Sequence, residues 1–251
     1  MDGKLSPRME ELPTAPPIPQ PRLKAMEEEI DREMPFYRIR NSFHLGDRWS
    51  RINFALRLIE QRHRMGIYLP DQLCKDIVDA LDIGDLQPHL TDVKDRTREM
   101  RGLNWYIDQG TRAYSCQYFP TRKRHSPEAR KIGYSFSANW RAELKIPRHP
   151  DKLLNTLRQR FQGFDFVPLG LPHQTTIGEL VDVLASVRLF LSVDSGVAHV
   201  ARSVGTPLFL LEYKWGVERG FPSAACHYTK VTRSDAGDHL ERFLLGEKTT
   251  A

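Results

Sequence analysis

The chain predicts an α/β fold built on parallel sheets. Two observations carry the prediction. Apolar strand-like runs alternate with amphipathic helical stretches through most of the 251 residues, and strands separated by helices pair in parallel with their faces covered. The run from Phe190 to Leu211 then shows the unit at its clearest: a buried strand, a polar Asp194-Ser195-Gly196 turn, a short helix, a stop at Gly205-Thr206-Pro207, and a second buried strand. A polar turn between a buried strand and a helix is where α/β proteins usually seat a ligand.

The elements follow in chain order. Residues 1–33 read as a disordered tail, because Pro13, Pro16, Pro17, Pro19 and Pro21 interrupt backbone hydrogen bonding and Glu27-Glu28-Glu29 concentrates like charge. Phe36, Tyr37 and Ile39 form a first strand. After the turn His44-Leu45-Gly46-Asp47 comes a helix with Trp49, Ile52, Leu56 and Ile59 at helical spacing, Asp47 as its N-cap and Gly66 as its stop. Ile67-Tyr68-Leu69 is a second strand, and Pro70-Asp71 opens a helix that ends near Gly84. Residues 86–130 carry a weaker pattern. Within them Ala113–Phe119 reads as a strand and Thr121–Pro127, basic and rich in breakers, as a linker.

The second half is plainer. Ile132, Tyr134 and Phe136 alternate as a strand. A helix opens at Pro150-Asp151, a strand covers Phe164–Leu169, and Thr176 with Glu179 has capping-box spacing ahead of another helix. An edge strand at 227–232 and a helix at Asp238–Leu245 close the chain. These boundaries predict a tail (1–33), an N-terminal domain (34–127) and a C-terminal domain (128–251).

Composition narrows the class. No apolar run approaches the roughly 20 residues of a membrane span. The first residues lack an apolar secretory segment, and Cys74, Cys116 and Cys226 form neither a CxxC pair nor an even set. A cytoplasmic protein with reduced thiols is expected. The net charge of +5 suits an anionic partner without choosing among nucleotides, nucleic acid and membrane surfaces. Arg122-Lys123-Arg124-His125 keeps a nucleic-acid-directed protein open as an alternative.

At Asp194-Ser195-Gly196 the N–H groups of a helix become available, and Gly196 lets a ligand approach the backbone. His199 lies in the first turns of that helix, within reach of a phosphate. The same residues can equally serve as helix caps and a satisfied core histidine. Asp47 is either an N-cap or a general base acting on a hydroxyl. Arg141 and Lys145, in the segment Asn139–Lys145, are either cations for a leaving diphosphate or a solvated basic loop.

Taken together, Leu45-Gly46-Asp47 and the pattern Asp194, Ser195, Gly196, His199, Ala201, Gly205, Pro207 resemble glycosyltransferase family 9, the ADP-heptose:lipopolysaccharide heptosyltransferases. The likeness covers about residues 36–66 and 130–211. It implies a GT-B architecture of two Rossmann-like parallel-sheet domains facing a cleft, the N-terminal one reduced. It also implies inverting transfer of a sugar from a nucleotide-diphosphate donor to a hydroxyl acceptor (glycan, small molecule or nucleic acid), without a metal or other cofactor. By position, Asp47 would be the catalytic base, Ser195 and Gly196 would bind the diphosphate, Asp194 would hold the donor sugar and Lys145 would offset leaving-group charge. An inactive relative that uses the cleft to bind a partner is the remaining alternative.

Overall fold

The structure is a computed structural model that describes residues 28, 36–38, 44–61, 66–93, 118–138, 142–170, 173–212, 227–230 and 236–244. Two parallel sheets are present among them. The first is formed by β1 (Phe36–Arg38), β2 (Gly66–Tyr68) and β3 (Leu90–Thr91), in that order. Helix α1 (Leu45–Glu60) connects β1 to β2. Helix α2 (Gln72–Ala80) and a 3-10 turn over Gly84–His89 connect β2 to β3.

The second sheet has five parallel strands: β4 (Glu128–Ser135), β5 (Asp165–Pro168), β6 (Val187–Ser192), β7 (Leu208–Glu212) and β8 (His227–Lys230). Its spatial order is β5-β4-β6-β7-β8. The connections are α3 (Ala142–Lys145) and α4 (Pro150–Arg160) from β4 to β5, α5 (Ile177–Ser186) from β5 to β6, and α6 (Gly196–Val204) from β6 to β7. Helix α7 (Ala236–Leu244) follows β8. The chain leaves β4 on one side to make β5 and returns on the other to make β6. The crevice at the carboxyl ends of β4 and β6 is therefore the topological switch point of this sheet, where open α/β folds bind ligands.

Strand alternation sorts the core into two layers. Leu189, Leu191 and Val193 face one layer with Phe209, Leu211 and Leu157 of α4 and Leu240 of α7. Phe190, Leu208 and Leu210 face the other, with Leu180 and Leu184 of α5 and Val200 of α6. That second layer continues without a break into Trp49, Ile52 and Leu56 of α1 and Ile77 and Val78 of α2. The two sheets thus share one core. The indole Nε1 of fully buried Trp49 donates to Ser203 Oγ at 2.8 Å, tying α1 to α6.

Most predicted elements are found within a residue or two, with the following corrections. Helix α1 starts at Leu45 with His44 at the N-cap position, so Asp47 sits inside the first turn. A carboxylate is favoured at both places by the helix dipole, which is why the sequence does not separate them. Gly66 does not stop that helix; it opens β2. Helix α2 ends at Ala80, before Gly84, whose φ of +50° starts the 3-10 turn. Phe136 follows β4 and is not part of it.

Of the predicted strand over 113–119, residues 113–117 lie outside the described residues, and Tyr118 and Phe119 are not in a strand. The predicted tail, Glu28 excepted, lies outside them too, as do Cys116 and Cys226. The stretch read as a linker is firmly bound on both sides. Arg122 N–H donates to Ala80 O, while the N–H groups of Thr121, His125 and Ser126 donate to Ser203, Val204 and Ala185 carbonyls.

Candidate active site

The carboxyl end of β6 meets that of β4 through paired serines. Ser192 aligns with Ser135, and its hydroxyl lies 3.0 Å from Ser135 O and 3.1 Å from Ser195 Oγ. Ser195 holds the N-cap position of α6 without capping the helix through its side chain. Asp194 does not cap it either: its carboxylate pairs with Lys145 Nζ at 2.8 Å, both side chains nearly buried at 13% and 10% exposure. Gly205, with φ +85°, ends α6 as the left-handed residue a helix stop favours.

The N-terminus of α1 comes to the same place. A Cβ on Gly196 would lie 2.8 Å from Gly46 N, and one on Gly46 would lie 3.1 Å from Gly196 Cα. Only glycine at both positions lets the two backbones meet this closely. The positive ends of two helix dipoles therefore converge on one spot. Neither helix is capped by the side chain of its N-cap residue, His44 or Ser195. The chain does cap helices elsewhere. Asp71 accepts from Cys74 N–H on α2, and Thr176 and Glu179 form a full capping box on α5. Asp47, the residue after Gly46, is exposed beside this junction.

His199 lines the junction from α6. The Cδ2–Nε2 edge of its ring packs against Gly46, whose added Cβ would sit 2.8 Å from Cδ2 and 3.3 Å from Nε2. Its Nδ1 is 2.5 Å from Tyr118 OH and 3.4 Å from Ser50 Oγ, and those two hydroxyls are 2.6 Å apart. Burial pushes the imidazole down to about 4, Arg202 and Lys145 push the same way, and Asp194 and Asp47 only partly oppose them. The ring is neutral at pH 7. The charges acting on it also show that both motifs and Lys145 share one electrostatic neighbourhood.

The structure thus brings together Asp47, Lys145, Asp194, Ser195, Gly196 and His199. Arg141 lies outside the described residues. Sequence reasoning missed Ser50 and Tyr118. Ser50 is one turn beyond Gly46 on α1, so helical spacing from the Leu-Gly-Asp turn was a usable signal for it. Nothing local marks Tyr118, which reaches the site from the connecting segment. The basic run sits away from this junction: Arg124 pairs with Asp82 at 2.9 Å, Lys123 lies 3.9 Å from Asp182, and His125 Nε2–H donates to Val187 O.

Residues 140–211, which hold Lys145 and the whole Asp-Ser-Gly turn, match the sequence model of glycosyltransferase family 9 (heptosyltransferase). The chain resembles that family. Among solved structures, the bacterial iron-containing dodecameric glycosyltransferase TibC from enterotoxigenic E. coli is similar at a TM-score of 0.52 and 12% identity, over 71% of this chain. At that identity the likeness speaks to fold, and the chain spans 58% of TibC's length. E. coli ADP-heptose LPS heptosyltransferase II is matched at a TM-score of 0.40 and 15% identity, over 81% of this chain and 82% of that one. No curated protein matches the chain by sequence. No helix among the described residues is long and apolar enough to cross a membrane.

Proposed function

We propose that this protein is an inverting glycosyltransferase that moves a sugar from a nucleotide-diphosphate donor to a hydroxyl acceptor. The observation that carries the reading is the glycine-to-glycine junction of Gly46 and Gly196. It aims two helix N-termini, neither capped by its own N-cap side chain, at one point beside the switch point of the second sheet. Such a point is an anion site by its partial charges and its N–H groups. A diphosphate there would meet the backbone at Gly196, the Ser195 hydroxyl and the His199 edge.

The remaining roles follow from charge. Asp47 is exposed in the first turn of α1, where an acceptor hydroxyl can reach it, and acts as the base that takes the hydroxyl proton. Attack on the anomeric carbon from the side opposite the diphosphate inverts that centre. The negative charge growing on the leaving diphosphate is offset by Lys145 and the two helix ends, so the reaction proceeds without a metal. Asp194, held by Lys145, is left to accept hydrogen bonds from donor sugar hydroxyls. A TibC structure contains ADP-D-beta-D-heptose, which makes ADP the first nucleotide to try. A cytoplasmic setting fits the buried free thiol of Cys74.

Melting temperatures with ADP, UDP and GDP test the reading. One of them should stabilise the wild-type chain, and Ser195→Asp should remove the effect by placing a carboxylate against the phosphates. A chain that neither these three nor CDP and dTDP stabilise is not a nucleotide-diphosphate-sugar transferase.

A further inference from the structure

Tyr118, Ser50 and His199 come from three separate parts of the chain, and their hydroxyls and ring nitrogen form a continuous relay. Two O–H groups converge near one imidazole nitrogen. The phenol is the stronger acid of the two, and an imidazole nitrogen is a better acceptor than an aliphatic hydroxyl, so Tyr118 O–H donates to Nδ1 and Ser50 O–H to the Tyr118 oxygen. Arg202 reinforces that direction. Its guanidinium carbon lies 4.8 Å from the centre of the Tyr118 ring, where a cation makes the phenol a better donor. With Nδ1 accepting, a neutral ring carries its proton on Nε2. That is the atom on the ring edge against Gly46.

We propose that Tyr118, backed by Ser50, is a positioning residue that fixes His199 in its Nε2–H tautomer, so that the ring offers an N–H donor to a phosphate oxygen of the donor nucleotide. The use of that donor rests on the glycosyltransferase reading; the fixing of the tautomer does not. A neutral donor orients a diphosphate without adding a full positive charge that would hold the product after transfer. Among the described residues, the charged groups that act most strongly on the ring are Asp194, Arg202, Asp47 and Lys145.

The test is long-range 15N–1H NMR of the imidazole nitrogens in the full, 15N-labelled chain at pH 7, with ADP, UDP and GDP titrations. Wild type should show His199 protonated on Nε2 alone. Tyr118→Phe, which keeps the ring and removes the hydroxyl, should mix the tautomers and weaken binding of the stabilising nucleotide about 2–10-fold, the range for one lost hydrogen bond. His199→Gln, whose amide reaches toward the Nε2 position, should retain more affinity than His199→Asn. Ser50→Ala should shift the tautomer in the same direction as Tyr118→Phe, to a smaller extent. A wild-type ring protonated on Nδ1, or a Tyr118→Phe chain with unchanged tautomer and affinity, overturns the proposal. If no nucleotide binds wild type but Tyr118→Phe still mixes the tautomers, the relay stands and the nucleotide reading falls.

Discussion

Gly46 and His199 are shaped to each other: the backbone of one leaves the space that the ring edge of the other fills, with 2.8 Å between Cδ2 and the place a Cβ would take. This contact joins the Leu-Gly-Asp turn to the Asp-Ser-Gly-x-x-His turn. The Leu-Gly-Asp turn is weak by itself, since it can be read as a helix start, whereas the Asp-Ser-Gly-x-x-His turn lies in the segment 140–211 that matches the family model without it. Their side-by-side packing is what brings the two turns to one place.

Substitution at the junction should grade by what the new methyl meets. In Gly196→Ala it meets Gly46 N at 2.8 Å and Leu45 Cβ at 3.0 Å, so two helix backbones must part. In Gly46→Ala the nearest atom belongs to the His199 ring, which can swing. Gly196→Ala should therefore destabilise the chain by about 1–3 kcal/mol, an ordinary overpacking cost, and Gly46→Ala by less. Both should lose nucleotide affinity. Denaturant unfolding with calorimetry checks this, and equal costs would mean the junction yields as easily through backbone as through side chain.

The His199 shift sets a pH dependence. Its folded value, about 4, lies below the 6.5 of the free side chain. Below pH 6.5 the unfolded chain binds a proton that the folded ring refuses. Stability is thus complete above about pH 6.5, falls as pH drops toward 4, and levels off below. The total is on the order of 3 kcal/mol by linkage. Subtracting the stability-versus-pH curve of His199→Gln isolates this residue, and a flat difference between pH 4 and 7 would contradict it.

Much of this architecture is legible in the residue pattern because its signals are local. Thr176 and Glu179 announce α5 through a capping box, Gly205 announces the end of α6, and unbroken apolar runs announce β6 and β7. What was not legible depends on distant partners. Trp49 reads as one more apolar helix residue, yet its N–H finds Ser203, 154 positions away. The linker-like 121–127 stretch contains breakers, as loops do, but its amides are consumed by α2, α5 and α6. Strand β3 has only two residues, too short for any periodicity. Asp194 looks like a cap from its position, and only the fold supplies Lys145 to claim it.

Asp47→Asn should separate chemistry from binding. The amide keeps the shape and cannot take a proton, so transfer should fall by about 100-fold or more. Affinity for the donor nucleotide should stay within about twofold, because the role proposed for Asp47 is on the acceptor side. Turnover with donor and acceptor, read beside calorimetry, checks both. Full activity in the variant would remove Asp47 as the base.

Chelation tests how the leaving group is neutralised. If Lys145 and the two helix ends carry that task, EDTA should leave both nucleotide stabilisation and turnover unchanged, and adding iron or magnesium should restore nothing. Activity lost to EDTA and regained with one metal would show that the charge is supplied by an ion instead.

Lys145 and Asp194 should behave as a coupled unit. Their ion pair spans 2.8 Å with both side chains nearly buried, so removing the Lys145 charge leaves the Asp194 carboxylate nearly buried without its cation. Lys145→Ala should cost about 2–4 kcal/mol of stability, and the double change Lys145→Ala, Asp194→Ala should cost less than the two single changes summed. Catalysis should not follow the same arithmetic. The double variant should recover folding but still lack the cation proposed for the diphosphate, so its turnover should stay as low as that of Lys145→Ala. A double-mutant cycle in stability, run beside the same cycle in kcat, resolves the two roles. Turnover that recovers together with stability would confine Lys145 to holding Asp194 in place.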